Sequence, residues 1–186
     1  PHVWRFRAAV QGGTGEFVAS VQDLGIVNSR AVALGDLDGD GDLDAFVTNA
    51  GQPDEVWRNN GRGRFTNSWQ SLVNGDGRSV ALADLDGDGD LDAMVANYQQ
   101  PNDVWLNDGQ GTFSAAQSLG NGQSHGVALG DLDGDGDMDA YVANYGQANR
   151  IWLNDGLGGF EDSGQTLDTA TSYGVQLADL DADGDL

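Results

Sequence analysis

The sequence contains no cysteine and no lysine, and only three prolines and two histidines among its 186 residues. Without cysteine, disulfides, thiolate metal sites and a cysteine nucleophile are excluded. All eight basic residues are arginine, against 30 acidic residues, and the formal net charge is −22. Because nucleic acid and anionic membranes select basic surfaces, neither is a predicted partner. No apolar run approaches the ~20 residues that a membrane-spanning helix needs, so no membrane insertion is predicted.

The acidic residues are concentrated in one stretch that recurs. "GDLDGDGDLDA" at 35–45 returns as "ADLDGDGDLDA" at 83–93 and "GDLDGDGDMDA" at 130–140, and it begins again as "ADLDADGDL" at 178–186. These four loops hold 19 of the 30 acidic residues. The remaining acids nearly balance the arginines, so the acidity belongs to the loops and not to the surface in general.

The whole chain repeats with a period near 48 residues. The first aspartates of the loops are Asp36, Asp84, Asp131 and Asp179, which follow one another at steps of 48, 47 and 48. A tryptophan and a phenylalanine eight residues later keep the same step, as Trp57/Phe65, Trp105/Phe113 and Trp152/Phe160, and Trp4 and Phe17 open the pattern with a five-residue insertion. The predicted units are 1–29 (a partial blade), 30–77, 78–124, 125–171 and 172–186 (a partial blade).

Each unit is predicted to contain four short strands. In the second unit these are 78–85, 92–98, 103–108 and 111–119, with Asp-Gly or Asn-Gly hairpin turns before the last strand. No segment has a helical period of useful length. The chain is therefore predicted to be all-β, a β-propeller of four-stranded antiparallel blades with about four blades and 15 strands present. A β-solenoid is the alternative, although solenoid periods are usually shorter.

The aspartates alternate with other residues in a pattern typical of a calcium loop. Counting Asp36 as position one, aspartate occupies positions one, three, five, seven and nine, with Gly41 at position six. An EF-hand loop takes oxygen ligands at those positions and has glycine at six. It also needs glutamate at position twelve and flanking helices, whereas this chain has valine and strands there.

We therefore expect an ion-binding turn between two strands, with position nine closing the site and position seven contributing a carbonyl. Closely spaced carboxylates repel unless a cation binds them. The predicted cofactor is Ca²⁺, in three complete sites and a fourth truncated one. The predicted ligands are Asp36, Asp38, Asp40, Asp42, Asp44, Asp84, Asp86, Asp88, Asp90, Asp92, Asp131, Asp133, Asp135, Asp137, Asp139, Asp179, Asp181, Asp183 and Asp185.

"VALGDLDGDGDLDAFVTN" followed by "VWRNNGRGRF" resembles the FG-GAP/VCBS repeats of bacterial surface proteins and the calcium-binding blades of integrin α-subunit propellers. The resemblance covers essentially the whole chain. It implies a β-propeller, usually seven-bladed, with calcium between the first and second strands of a blade, and it carries the metal role onto the aspartates named above. Because only about four units are present, we expect a piece of a larger ring within a longer protein.

Alternating strand directions place the aspartate loops and the hairpin turns on one face of a blade. The opposite face carries residues that differ between units, which favours recognition there, although loops vary in any case. The candidate ligand-binding residues are Arg30, Arg78, His125, Tyr173, Tyr98 and Tyr145. The repeated tryptophans are predicted to pack between blades, and Trp69 lies off the pattern.

Three functions fit these observations. The first is a calcium-stabilised extracellular or cell-surface module, secreted by a bacterium, that binds or adheres to protein or glycan. The second is a structural subunit or spacer of a surface layer or filament, with self-assembly or further blades from the same parent chain. The third and weakest is part of a polysaccharide-acting enzyme. With two histidines and no catalytic motif, the chain is predicted not to be an enzyme.

Overall fold

The computed structural model describes residues 22, 24–25, 28–70, 72, 74–167, 169 and 171–186. This part of the chain is all-β and contains twelve strands. They are β1 (Ser29–Gly35), β2 (Asp44–Pro53), β3 (Glu55–Asn59), β4 (Phe65–Asn67), β5 (Asn74–Ala83), β6 (Asp92–Asn97), β7 (Asn102–Asn107), β8 (Phe113–Leu119), β9 (Ser124–Gly130), β10 (Asp139–Asn144), β11 (Arg150–Asn154) and β12 (Phe160–Asp162).

The strands form three four-stranded antiparallel units in chain order. Within each unit the first strand pairs with the second, the second with the third and the third with the fourth. The units are β1–β4, β5–β8 and β9–β12. The end of β2 also pairs with the start of β5, which joins the first two units into one eight-stranded sheet.

The first strands of successive units lie side by side, since β5 contacts both β1 and β9. The approach is close: a Cβ on Gly126 of β9 would lie 2.9 Å from the Cα of Gly174 in the next segment. Four-stranded antiparallel units whose inner strands neighbour one another are the arrangement of propeller blades. The described residues thus form part of a β-propeller, as predicted, and the solenoid alternative is wrong.

Two strand predictions need correction. The first strand of the second unit starts at Asn74, because its extra residues pair with the end of β2. Residues 171–179 form no strand. In the other units that strand pairs with a second strand beginning at loop position nine, which has no counterpart in this sequence. Trp4 and Phe17, which define the opening partial unit, lie outside the described residues.

The hydrophobic core lies between units. One cluster joins Leu72 of the first unit to Val95, Trp105 and Phe113 of the second. Another joins Leu119 of the second unit to Val142 and Phe160 of the third. Trp105 belongs to the first cluster and Trp152 is half-buried against the second, so these two tryptophans pack between units as predicted. Trp57 is buried. Each unit therefore depends on its neighbour to bury its apolar residues.

Glutamine side chains bond each unit to the next one. Gln70 donates to the carbonyl of Gly111 at 2.6 Å and accepts from the N–H of Phe113 at 2.7 Å. Gln117 donates to the carbonyl of Phe160 at 2.9 Å and accepts from its N–H at 2.8 Å. In both cases the glutamine pairs backbone groups at the start of the fourth strand of the next unit. These bonds fix the separation of neighbouring blades.

Asp54 is a buried acid in the loop between β2 and β3. Its Oδ1 accepts a hydrogen bond from the N–H of Asn49 at 2.8 Å, and the residue is 3% exposed. Asparagine makes the same bond in the other units, where Asn102 accepts from Asn97 and Asn149 from Asn144. Burial raises the pKa of Asp54 to about 7, because the ionised carboxylate is poorly solvated there.

Replacing Asp54 with asparagine should stabilise the chain in a pH-dependent way. Since the pKa is raised in the folded state, the unfolded chain releases this proton first, and stability is lost as pH rises from about 4 to about 7. D54N keeps the acceptor oxygen and removes this cost. Its gain in unfolding free energy over the parent should be near zero at pH 4 and reach at most about 4 kcal/mol above pH 7, measured by urea unfolding.

The matched control is Asn102→Asp, which places the same acid at the equivalent position of the second unit. Asn102 is 3% exposed, like Asp54. N102D should therefore lose stability over the same pH window in which D54N gains it. A D54N gain that is the same at every pH would contradict a buried ionisable Asp54.

Candidate metal centres and the opposite face

The carboxylate at position one organises each aspartate loop. Asp36 accepts hydrogen bonds from the N–H groups of Gly39 and Gly41, both at 2.9 Å. The same two bonds recur on Asp84, on Asp131 and on Asp179. Because both bonds are local, the turn is specified by its own sequence.

Two backbone positions of each loop are left-handed. Position six is glycine throughout, with φ of 88° at Gly41 and 102° at Gly184. Position four is left-handed as well, at 74° in Gly39, but the fourth loop has Ala182 there with φ of 63°. A residue with a Cβ is strained in this region. The glycine at position six was predicted from the EF-hand pattern, whereas the left-handed position four was not predicted.

The buried aspartate at position nine accepts two hydrogen bonds from the backbone of its own blade. In the second loop, Asp92 is fully buried, and its Oδ2 accepts from the N–H of Leu85 at 2.8 Å. Its Oδ1 accepts from the N–H of Asn107, the last residue of the third strand, also at 2.8 Å. Asp44 and Asp139 make the equivalent pairs of bonds. Position nine thus fixes the loop to the blade that carries it.

The asparagine that follows on the third strand extends this connection to the preceding unit. The side chain of Asn107 donates to the carbonyl of Leu37, 70 residues earlier, at 2.9 Å. Asn154 donates in the same way to the carbonyl of Leu85 at 2.9 Å. Since Leu85 also donates its N–H to Asp92, the second loop is bonded both to its own blade and to the next one, and Leu37 does the same for the first loop.

The carboxylates converge in all four loops. Three oxygen atoms, one from each of three aspartates, lie within 4.8 Å of one another in every loop. In the first loop, Oδ1 of Asp38 is buried and accepts no hydrogen bond of good geometry among the described residues, whereas Oδ1 of Asp86 and of Asp133 accepts from the N–H two residues on at 3.2 Å. An oxygen-only donor set with an unsatisfied buried oxygen fits a hard cation such as Ca²⁺. The clustered residues are Asp36, Asp38 and Asp40; Asp84, Asp86 and Asp92; Asp131, Asp133 and Asp139; and Asp179, Asp181 and Asp183.

The electrostatics of the loops agree with this fit. Burial, followed by the charges of Asp44 and Asp40, raises the pKa of Asp38. Burial raises the pKa of Asp92 to about 6, although two N–H groups oppose the shift. In the fourth loop, by contrast, the N–H of Gly184 holds the pKa of Asp179 below its usual value. A cation would offset the penalty on the first two groups.

The aspartates at position seven do not join the clusters. Their side chains lie over the hairpin turn between the third and fourth strands. A Cβ on the turn glycine would come within 2.4 Å of Asp42 Oδ2 at Gly61, 2.2 Å of Asp90 Oδ2 at Gly109, and 2.5 Å of Asp137 Oδ2 at Gly156. These contacts also place the aspartate loops and hairpin turns on one face of the blades, where they were expected together.

The first site differs from the other two complete sites. Arg58 of β3 lies 3.9 Å from Asp38 Oδ2 and donates to the carbonyl of Gln110 in the next unit at 2.6 Å. The equivalent residues in the other units are Leu106 and Leu153. A guanidinium beside a ligand carboxylate competes with a metal ion for the same charge.

On the opposite face, five of the six candidate ligand-binding residues touch one another. Arg78 stacks over the Tyr98 ring at 4.8 Å, and His125 lies between Tyr98, Tyr145 and Tyr173 with ring-centre distances of 5.3, 5.6 and 5.2 Å. We call these five residues the aromatic cluster. Arg30 is exposed on β1 and lies apart from it, and Trp69 is 83% exposed.

The aromatic cluster is built from two repeat positions. Arg78, His125 and Tyr173 lie six residues before the first aspartate of a loop, and Tyr98 and Tyr145 directly follow the second strand of their units. The Tyr98–His125 contact joins the second unit to the third, and the His125–Tyr173 contact joins the third unit to the segment that follows it. The cluster therefore crosses two boundaries between units. Burial, and then the charge of Arg78, lowers the pKa of His125 and so favours its neutral form. A binding role for these residues stays a prediction.

These features define a class of protein: a β-propeller of repeated blades, each carrying an aspartate loop that can hold a metal ion. The profile of the FG-GAP-like repeat family matches residues 36–95, 84–142 and 131–186. The chain belongs to the FG-GAP-like repeat family. No curated protein matches the chain significantly. FG-GAP repeats are typical of propeller-type binding or adhesion modules, most often extracellular ones. No helix among the described residues has the length and hydropathy to cross a membrane.

Proposed function

We propose that the chain is a calcium-stabilised, extracellular or cell-surface module that binds protein or glycan through the face opposite its metal loops. The observation that supports this best is the contrast between the two faces. The loops repeat one hydrogen-bond pattern in every unit, whereas the opposite face carries Arg, His and Tyr at equivalent positions. Scaffold positions repeat, and recognition positions vary.

Calcium is proposed as the ion because the loops offer several oxygen ligands on a glycine-rich, adaptable backbone. When bound, it would neutralise the clustered carboxylates and so link the first two strands of each blade. Extracellular calcium modules bind at about 10⁻⁴–10⁻³ M, and sites of that affinity fill outside cells. This supports the proposed secreted location.

The proposed role is non-catalytic. Position one uses its carboxylate to fold the turn, and position nine uses both its oxygens on buried N–H groups. Carboxylates held in this way are poorly placed to act as general acids or bases. His125 packs among three tyrosine rings, and burial and the charge of Arg78 outweigh the nearby Asp76 in setting its pKa.

A structural alternative is assembly with further repeat units, from the same parent chain or from a second copy. Leu37 and Leu85, at loop position two, are each 1% exposed, because the following unit covers them. Leu180 occupies the same position in the last loop and is 94% exposed. One more unit would bury it.

Binding to protein and glycan arrays, with calcium and after chelation, tests the proposal. We expect binding that is lost on chelation and lost in Tyr145→Ala, but retained in Trp69→Ala, which changes an aromatic residue outside the aromatic cluster. The absence of any ligand, together with calcium-dependent self-association in sedimentation, would instead establish the structural alternative.

A further inference from the structure

A groove of about 500 Å³ separates the second and third units on the face opposite the metal loops. Between the first two units, β2 and β5 pair over three residue pairs. Between the second and third units, the equivalent segment makes a single bridge, Tyr98 to Gln123. The groove thus opens where the two sheets are not joined.

The groove wall is polar on one side and apolar on the other. Asn121 and Gln147 are exposed amides at its rim. Arg150 and Asp162 form an ion pair at 3.2 Å whose side chains are 41% and 37% exposed. Val142 and the half-buried ring of Trp152 supply the apolar wall. Amide and ion-pair groups offer donors and acceptors side by side, the requirement for binding adjacent hydroxyls.

The charge pair is specific to the third unit. Where the third unit has Arg150, the first two have Glu55 and Asp103. The position opposite the tryptophan is Asp162 in the third unit, but Asn67 and Ala115 in the others. Arg150 is the arginine in the lining of this groove. Packing alone does not require a charged pair there, and arginine is rare in this chain, with eight basic residues among 186.

We propose that this groove binds a neutral hexopyranose unit of a glycan. Hydroxyls of the sugar would pair with the Arg150–Asp162 pair and with the rim amides, and the C–H face of the ring would lie on Trp152. Asp162 balances the charge of Arg150, so the groove offers no net positive charge to a uronic acid or sulfated sugar. The inference rests on the proposed binding function and adds to it a sugar subsite on the same face as the aromatic cluster, which neutral monosaccharides would reach without contacting Tyr145.

Saturation-transfer NMR with methyl glycosides of neutral hexoses, and with methyl glucuronide as the anionic comparator, tests the groove in calcium buffer. Binding of a neutral glycoside is expected at about millimolar strength, which corresponds to roughly −4 kcal/mol. Arg150→Gln and Gln147→Ala should each weaken it about tenfold or more, while Trp69→Ala should not change it. Melting temperatures of all variants in calcium show that each is folded.

Several results would overturn the inference. Neutral glycosides that bind but resist both groove substitutions, and are lost in Tyr145→Ala, would place the sugar site on the aromatic cluster. Preference for the glucuronide would exclude the neutral class, and no glycoside binding would exclude the groove as a sugar site. In each case a calcium-dependent ligand on the arrays would leave the proposed function standing, whereas its absence would remove that function as well.

Discussion

Chelating calcium should lower the melting temperature of the chain by about 15 °C or more. An ion present at 100 times its dissociation constant stabilises the folded state by about 2.7 kcal/mol per site. The second and third sites would together contribute about 5 kcal/mol, and the weaker first site would raise the total to at most about 8 kcal/mol. For a chain of this size, 1 kcal/mol shifts the melting temperature by about 2–4 °C. Differential scanning calorimetry in calcium, and in EGTA with magnesium present, measures the shift.

Sodium chloride is the control for simple charge repulsion. Carboxylates about 4 Å apart repel by roughly 4 kcal/mol at an effective dielectric constant of 20, and 1 M salt screens exposed charges over about 3 Å. Salt should therefore recover only part of the stability lost in EGTA. Full recovery in salt alone would show that the loops need screening and not a bound ion.

Replacing Asp92 with alanine should cost about 4 kcal/mol or more of unfolding free energy in calcium. The substitution leaves the N–H groups of Leu85 and Asn107 unpaired, and each buried unsatisfied group costs about 1–3 kcal/mol. It also removes a carboxylate from the second cluster. Urea unfolding of D92A and the parent, each in calcium and in EGTA, gives both parts of the effect.

The cost of the unpaired N–H groups and the cost of the lost metal ligand can be measured separately, because only the second depends on the ion. In EGTA the difference between D92A and the parent should shrink but not vanish, since the two N–H groups remain unpaired. Glu161→Ala is the matched control: Glu161 is an exposed acid on β12, and its loss should change stability by about 0.5 kcal/mol or less. Equal losses for the two variants would contradict the role assigned to position nine.

The aspartate loops were predictable because everything that shapes them is local. The ligand types, their spacing and the glycine at position six lie within nine residues, and the repeat shows the same pattern in register. The strand order followed from the same period. The left-handed position four was missed, although three of the four loops have glycine there, within the sequence "DGDGD".

The bonds between units were not predicted, because they join residues far apart in sequence. Gln70 and Gln117 reach 43 residues ahead, and Asn107 and Asn154 reach about 70 back. A signal was present. "QSL" at 70–72 and 117–119 and "QTL" at 165–167 recur with the period, and an asparagine ends the third strand of each of the three described units. Repeated polar residues at a fixed position indicate such bonds as readily as repeated apolar residues indicate a core.

The aromatic cluster lies between these two cases. Its members could be selected as unit-specific residues of one face, because strand alternation determines the face. Their mutual contacts could not be derived, since they depend on how closely two blades approach. The groove beside Arg150 was missed for the same reason, as it lies where a single bridge joins the second and third units.

Calorimetric titration of the chelator-stripped chain with CaCl₂ tests most directly whether the aspartate loops bind calcium. At least two ions should bind with similar affinity at the second and third loops. The first site should be weaker because Arg58 lies beside Asp38, and Arg58→Leu, which copies the other units, should bring it level with them. A titration with no calcium heat, or one unchanged when Asp84 and Asp131 are replaced by alanine, would contradict the account.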